Sequence, residues 1–278
     1  MTWKGRLICL KAIFFTMVKI ACLGPEGTFS GVAAGRMYPK AKLVFLDDVG
    51  AVFKFVADGK EEGVVAIENS LEGSVGKTME SLMKYDLKIT GEATLDINLC
   101  LMAKNGVKPK DVKVIMSHSH ALAQCREYIV KKYPKAKLQA ISSTAEAMKE
   151  AGRRKDAAAV GSKEAGQKYG LKALAEGIQD SESQTRFISI SKRGKGGPKT
   201  SIIFAVKDEP GALYSILKVF ADANVNLTKI ESRPSKRKLG EYVFFVDYEN
   251  QRMPERAHEM LRARIQERTA YYKDLGSY

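Results

Sequence analysis

From Val18 to Ser191, short β-branched apolar runs alternate with helical stretches, and at one glycine-rich basic break this rhythm changes. The alternation constrains the fold more than any other feature. A parallel strand cannot follow its neighbour through a tight turn, so each helix reads as a crossover and the sheets need cover on both faces. VKIACLG, KLVFLD and GVVAIENS read as strands, with helices from the GPEGTFS loop to Met37 and around Val49 to Ala57. A long β-like stretch, LKITGEATLDINLCLMA, precedes VKVIMSHS, a helix from Ser119 to Lys132, KLQAIS, a helix from Ser143 to Arg154, AAAVGS, a helix to Tyr169, and a strand at TRFISIS. This pattern predicts parallel sheets with helical crossovers. SKRGKGGPKT, at 191–200, reads as a linker. Beyond it come TSIIFAV, a helix from Gly211 to Ala223, VNLTKIES, EYVFFVDYE, a helix from Pro254 to Arg268, and AYYKDLGS. That order is βαββαβ, a ferredoxin-like sandwich. The expected plan is α/β throughout: an extension at 1–16 ahead of Met17, an α/β unit at 17–192, a linker at 193–199 and the βαββαβ unit at 200–278.

Charge narrows the partners. Forty-six Lys and Arg against 32 Asp and Glu leave +14, of which +11 lies before Lys199, so an anionic partner is favoured. Arg233 to Lys238 (RPSKRK) carries no RNP, KH or zinc motif beside it and reads as a solvated basic surface rather than a nucleic-acid site. No stretch approaches the ~18 uncharged apolar residues of a membrane span. The opening MTWKGRLICLKAIFFTMVKIACLG imitates a signal peptide, but Lys11 and Lys19 interrupt it and no small-residue cleavage site follows. Cys9, Cys22, Cys100 and Cys125 sit in apolar runs without a CxxC pair, as reduced, buried thiols of a cytoplasmic protein would. His118 and His120, two apart, make a poor start for a metal site, and none is expected. GSVGKT at 73–78 has Leu71 where a P-loop needs its first glycine, which excludes nucleotide binding there.

One local device recurs four times: a strand ends and Ser, Thr or Gly opens a helix. It occurs at GPEGTFS (Gly27, Thr28, Ser30), at SHSH (Ser117, Ser119), at SST (Ser142, Ser143, Thr144, with Ser143 and Glu146 as a capping box) and at VGS (Gly161, Ser162). Each is singly a helix cap. Together, at the carboxyl ends of strands, such helix starts make a cleft that welcomes a small carboxylate or phosphate. Glu68 and Asn69 end the apolar strand GVVAI, where a carboxylate is either salt-bridged structure or a tuned acid. In TRF, alternation puts Thr185 and Phe187 on one face and Arg186 on the other, so either Thr185 or Arg186 faces the cleft. Gln124 lies five residues into the Ser119 helix.

GPEGTFS, AIENSLEGSV, SHSHALAQC, SSTAEA, AAVGS…YGL…IQD and TRF, with PGALYSIL and TKIESRP in the tail, together resemble monofunctional prephenate dehydratase with a C-terminal ACT regulatory domain. The resemblance runs from about Val18 to the end. It implies two α/β subdomains like those of a type-2 periplasmic binding protein, the cleft between them, strands near Leu95 and Phe187 crossing over, and a ferredoxin-like ACT domain. It implies conversion of prephenate to phenylpyruvate, water and CO2 without metal or organic cofactor. It also implies inhibition by L-phenylalanine bound between ACT domains, and a dimer or tetramer built through ACT and catalytic domains. The implied catalytic residues are Thr185, Glu68, Asn69, Ser117 and Gln124, with Thr185 or Glu68 as proton donor. Thr28, Phe29, Ser30, Ser143, Arg186 and Phe187 would bind substrate. Gly211, Ala212 and Leu213, with Glu231, Ser232, Arg233 and Pro234, would hold phenylalanine, Glu231 meeting its ammonium group. Two departures stand out: Ser119 and His120 replace the family's usual Pro-Gln, and Ser183 replaces an Asn two residues before the Thr. The competing readings are arogenate dehydratase, which eliminates from the aminated substrate, and a non-catalytic amino-acid sensor.

Overall fold

The computed structural model describes residues 18–59, 61–236, 241–251 and 253–278. The expected extension at 1–16 thus lies outside the described residues, as do Arg237 and Lys238 of the basic run. The chain first builds one lobe from β1 (Lys19–Leu23), α1 (Phe29–Met37), β2 (Lys42–Leu46), α2 (Val49–Asp58), β3 (Glu62–Asn69), β4 (Gly73–Ser74), α3 (Gly76–Lys84) and β5 (Lys88–Asp96). A second lobe follows: β6 (Cys100–Lys104), β7 (Val114–Ser117), α4 (Ser119–Ala123), α5 (Arg126–Lys132), β8 (Lys137–Ala140), α6 (Thr144–Ala151), β9 (Ala157–Gly161), α7 (Lys163–Lys168) and β10 (Leu171–Ala175). Then β11 (Gln184–Ser191) returns to the first lobe. The C-terminal unit is β12 (Lys199–Ala205), α8 (Ala212–Asp222), β13 (Leu227–Pro234), β14 (Tyr242–Glu249), α9 (Glu255–Glu267) and β15 (Tyr271–Ser277).

The sheet orders are β2-β1-β3-β11-β5 with β4 beside β3, then β10-β6-β9-β7-β8, and β13-β14-β12-β15. Three expectations need correction. The lobe sheets are mixed rather than parallel: β11 runs antiparallel to both β3 and β5, and β6 antiparallel to β9 and β10. Strand β10, after Gly170, is additional to the strands that the sequence predicts. The expected helix from Ser119 to Lys132 is two helices, because the Asp180 carboxylate accepts from the amides of Glu127 (3.0 Å) and Tyr128 (3.2 Å), capping a new helix start. The long β-like stretch divides at 97–99, where the chain passes from one sheet to the other.

Alternation decides what each sheet face meets. In the first lobe Ile20, Cys22, Val64 and Phe187 pack on Ala33 and Ala34 of α1. Ala21, Val65, Ile67, Ile188 and Ile190 face the other way, onto Val52, Phe53 and Val56 of α2 and Met79 and Leu82 of α3. The C-terminal sheet splits the same way. Ile202, Phe204, Val246 and Tyr248 meet α8 and α9, whereas Ile203, Val243, Phe245 and Leu275 join the first lobe's core. A ferredoxin-like sheet has helices on one side only, and here the first lobe covers the other. Cys22, Cys100 and Cys125 are buried free thiols, and desolvation pushes Cys22 and Cys125 up to about 12, which keeps them out of nucleophilic chemistry near neutral pH.

Inside the C-terminal core, His258 is fully enclosed, its Nε2 2.9 Å from the Tyr248 hydroxyl. Burial, helped by the Arg262 charge, holds its pKa below the ordinary value. The unfolded chain therefore takes up a proton at higher pH than the native one. Stability from this residue is complete above the unfolded pKa of about 6.5 and declines as pH falls from there through the lower native value. Melting between pH 7 and pH 5 should lower Tm more in the wild type than in His258→Gln, each kcal/mol reading as about 2–4 °C. Equal falls would remove His258 as the source.

Candidate active site between the lobes

Thr185 stands where the second crossing re-enters the first lobe. Its strand is flanked on both sides, opposite Asn69 of β3 and Leu95 of β5, so its backbone is fixed at two edges. The Ile97 amide donates to the Ser183 carbonyl at 2.7 Å and ties the two crossings together. Asn69 orients the Thr185 side chain. Its Oδ1 accepts from the backbone amides of Leu71 (2.9 Å) and Glu72 (3.1 Å), which determines which way the amide points. Its Nδ2 is then left to donate to Thr185 Oγ1 at 2.9 Å and Ser183 Oγ at 3.0 Å. Since the threonine oxygen accepts there, its own proton is available to donate elsewhere. Ser183, a departure from the family pattern, joins the same network.

A bulge explains why Asn69 and Thr185 share a face. Arg186 lies opposite Glu68, but Phe187 lies opposite Ala66, so Ile67 is an extra residue in β3. Without it, Glu68 would share the side of Val64 and Ala66. With it, Glu68 turns to the opposite side and Asn69 takes the cleft. Glu68 is therefore no cleft acid: its carboxylate is 2.7 Å from Lys229 Nζ and 3.4 Å from Arg186 Nη2. Arg186 likewise points away from the cleft, 2.8 Å from Asp247 and 3.0 Å from Glu92. Burial is the largest single influence and opposes its charge, yet Asp247, Tyr278 and Glu92 together outweigh it and leave the guanidinium pKa raised.

The hydroxyls expected to grip substrate are partly committed. Thr28 Oγ1 donates to the Leu23 carbonyl (2.9 Å) and accepts from the Gly31 amide (3.3 Å). Ser143 accepts from the Glu146 amide (3.1 Å), and the fully buried Ser117 donates to the Val160 carbonyl (2.6 Å). Their side chains cap helices or tie strands. Ser30 and Phe187 are buried, while Phe29 lines a cavity of about 470 Å3 between the lobes, with Leu95, Arg36 and Lys163 on its walls. Arg36 and Lys163 were missed in the sequence, although each is a basic residue on a helix that opens at the cleft.

Four contacts among the described residues join the lobes across the cleft. Glu26 pairs with Lys168, the Ser162 hydroxyl donates to the Gly27 carbonyl at 3.3 Å, and Glu72 lies 2.6 Å from His120 Nδ1 and 3.4 Å from Gln124 Nε2. Gly27, at φ +97°, allows the approach: a Cβ there would lie 3.2 Å from that of Ala165. Gln124 thus contacts the other lobe, and His120, half of the Ser119–His120 departure, does the same work.

In the C-terminal unit Gly211, at φ +82°, opens α8 and lines, with Ala212 and Leu213, a cavity of about 650 Å3. Glu231, Ser232, Arg233 and Pro234 are not among its walls. Lys229, Glu231 and Arg233 alternate along β13 toward the first lobe, where the Ser74 hydroxyl donates to the Glu231 carboxylate. The two effector motifs therefore do not meet within one chain.

A two-lobed α/β cleft crossed by two strands, with a ferredoxin-like sheet docked on one lobe, defines a periplasmic-binding-protein-like enzyme fold with a C-terminal ACT domain. Family models agree on both parts: prephenate dehydratase matches residues 20–195 and the ACT domain residues 200–264. The chain belongs to the prephenate dehydratase family. It is 42% identical to the prephenate dehydratase of Methanocaldococcus jannaschii over 96% of this chain and 98% of that one. It is also 42% identical to the bifunctional chorismate mutase/prephenate dehydratase of Aquifex aeolicus, over 94% of this chain and 73% of the relative. Among solved structures, prephenate dehydratase from Arthrobacter aurescens in complex with L-Phe superposes with a TM-score of 0.83 at 34% identity, covering 93% of this chain and 89% of the other. Among the described residues no helix is long and apolar enough to cross a membrane.

Proposed function

We propose that the chain converts prephenate to phenylpyruvate, CO2 and water, with Thr185 and Asn69 at the reacting end of the cleft. The observation that carries this reading is the Asn69–Thr185 pair: the amide donates to the threonine oxygen and leaves the threonine proton for a partner in the cleft. One proton is consumed. The bond from the ring to its carboxylate breaks and its electrons enter the ring as CO2 departs. The ring hydroxyl leaves with the C–O electrons and, protonated, becomes water. Hydrogen-bond donation by Thr185 to that oxygen stabilises the developing hydroxide, and Asn69 stabilises Thr185 in turn. Phe29 supplies apolar wall and Arg36 positive charge for a dianionic substrate, while Lys163 on the same wall is paired with Glu176 at 2.7 Å. Residues 17–192 form the catalytic unit, joined by 193–199 to the regulatory unit at 200–278.

L-phenylalanine is the proposed effector. The ACT match, the cavity behind Gly211–Leu213 and the L-Phe complex of the Arthrobacter relative support this. Because the two effector motifs lie apart in one chain, the site is completed by a second copy, in a dimer or tetramer. Ile230 and Tyr242 are exposed on the uncovered margin of the C-terminal sheet and suit such an interface. Buried unpaired thiols suit the cytoplasm. Purified protein should release phenylpyruvate from prephenate, more slowly when L-phenylalanine is present. Turnover of arogenate with prephenate untouched would assign the aminated substrate instead, and binding without turnover of either would leave a sensor.

A further inference from the structure

The face of β13 that turns away from solvent grips the catalytic lobe at the hairpin of β3 and β4. Glu68 and Ser74 stand opposite each other on its two legs, as do Asn69 and Gly73. Lys229 Nζ reaches both legs, 2.7 Å from Glu68 Oε1 and 2.8 Å from Ser74 Oγ, and lies 3.3 Å from Glu231 Oε2. Its side chain is only 12% exposed. Glu231 completes the clamp, accepting from Ser74 and pairing with Arg233 at 3.4 Å. The hairpin tip carries everything that orients the site from this side. It holds Asn69, the Leu71 and Glu72 amides that align it, and the Glu72 carboxylate that meets His120 and Gln124 of the other lobe.

We propose that Lys229 is a positioning residue, clamping the β3–β4 hairpin so that Asn69 holds Thr185, and that an effector ammonium group taking the Glu231 carboxylate loosens this clamp. The inference rests on the reading of the C-terminal unit as the phenylalanine-binding one. Glu231 has two oxygens and three partners here, so a new cation draws it from Ser74 and Lys229. By linkage, a clamp that favours the active arrangement must oppose effector binding to the same degree. Loss of the clamp without effector therefore mimics the effector.

The test uses the full chain, comparing Lys229→Met and Lys229→Arg with wild type. Phenylpyruvate release is measured without effector, L-phenylalanine binding by calorimetry, and melting by circular dichroism. In Lys229→Met, kcat should fall about 10-fold with KM for prephenate little changed, and phenylalanine should bind tighter by a similar factor, inside the ~5–150-fold range of allosteric couplings. Lys229→Arg should recover most of both. A merely structural lysine would lower Tm and leave kcat per folded molecule and phenylalanine affinity at wild-type values, and that result overturns the clamp. A wild type that ignores phenylalanine would remove the effector reading, while the kcat comparison, made without effector, would still decide whether Lys229 positions the site.

Discussion

Thr185→Ala should lower kcat on prephenate by about 100- to 1,000-fold, the usual cost of deleting one aligned donor at a developing anion, with little change in melting temperature. The side chain sits at the cleft, and its only hydrogen-bond partner among the described residues is the Asn69 amide, which keeps Ser183 as an alternative acceptor. Folding therefore loses little when the hydroxyl goes. Thr185→Ser keeps the donor, and should retain most of the activity. Asn69→Ala should resemble Thr185→Ala in kcat, because it frees the threonine oxygen from the amide that directs its proton. Glu68→Gln separates the alternatives. A carboxylate facing Lys229 and Arg186 gives no protons to the cleft, so the acid limb of the pH–rate profile should keep its midpoint in that variant. Full turnover in Thr185→Ala, with that limb moved in Glu68→Gln, would reverse the assignment.

That assignment shows where the sequence was legible and where it was not. Helix and strand order in the C-terminal unit follows directly from apolar periodicity and from Gly211 and Pro254 at helix starts. The lobes were legible as alternating elements because buried strands read as apolar runs. Strand direction was not, since a run such as TRFISIS looks the same parallel or antiparallel, and its partner is chosen by the return of the chain from the second lobe. TRF alternation left two outcomes for Arg186, and the structure selects the one with Thr185 in the cleft. Glu68, which the sequence leaves open between salt-bridged structure and a tuned acid, is turned by a bulge. Simple alternation along GVVAIEN sends it to the Val64 side, and one extra residue at Ile67 reverses every side chain beyond it. No residue type in AIEN announces a bulge. Lys229 and Asp247 carried no signal either, because their partners in the catalytic lobe, Glu68 and Arg186, are more than sixty residues away and meet them only when two domains dock.

Asp247→Asn should destabilise the protein by about 3–5 kcal/mol, the range found when one partner of a buried ion pair is removed. Asp247 and Arg186 are both largely enclosed at the domain interface, with side chains 7% and 13% exposed. Asparagine keeps an acceptor for Ser201 Oγ, which donates to Asp247 Oδ1 at 2.6 Å, so the variant isolates the lost charge. What remains is a guanidinium whose Nε and Nη2 already lack hydrogen-bond partners among the described residues. Glu68 and Glu92 stay near it, but each also serves a lysine, Lys229 and Lys199. At about 2–4 °C per kcal/mol the fall in Tm should be plain. Arg186→Met on its own leaves Asp247 buried without its cation and should cost a similar amount. The double variant Arg186→Met/Asp247→Asn removes both charges together and should recover most of the loss, since a desolvated pair gains little over neutral groups of similar size. Single losses that simply add in the double variant would mean that the two residues act independently, and that apolar packing around Phe245 and Ile188, rather than this pair, decides how the domains dock.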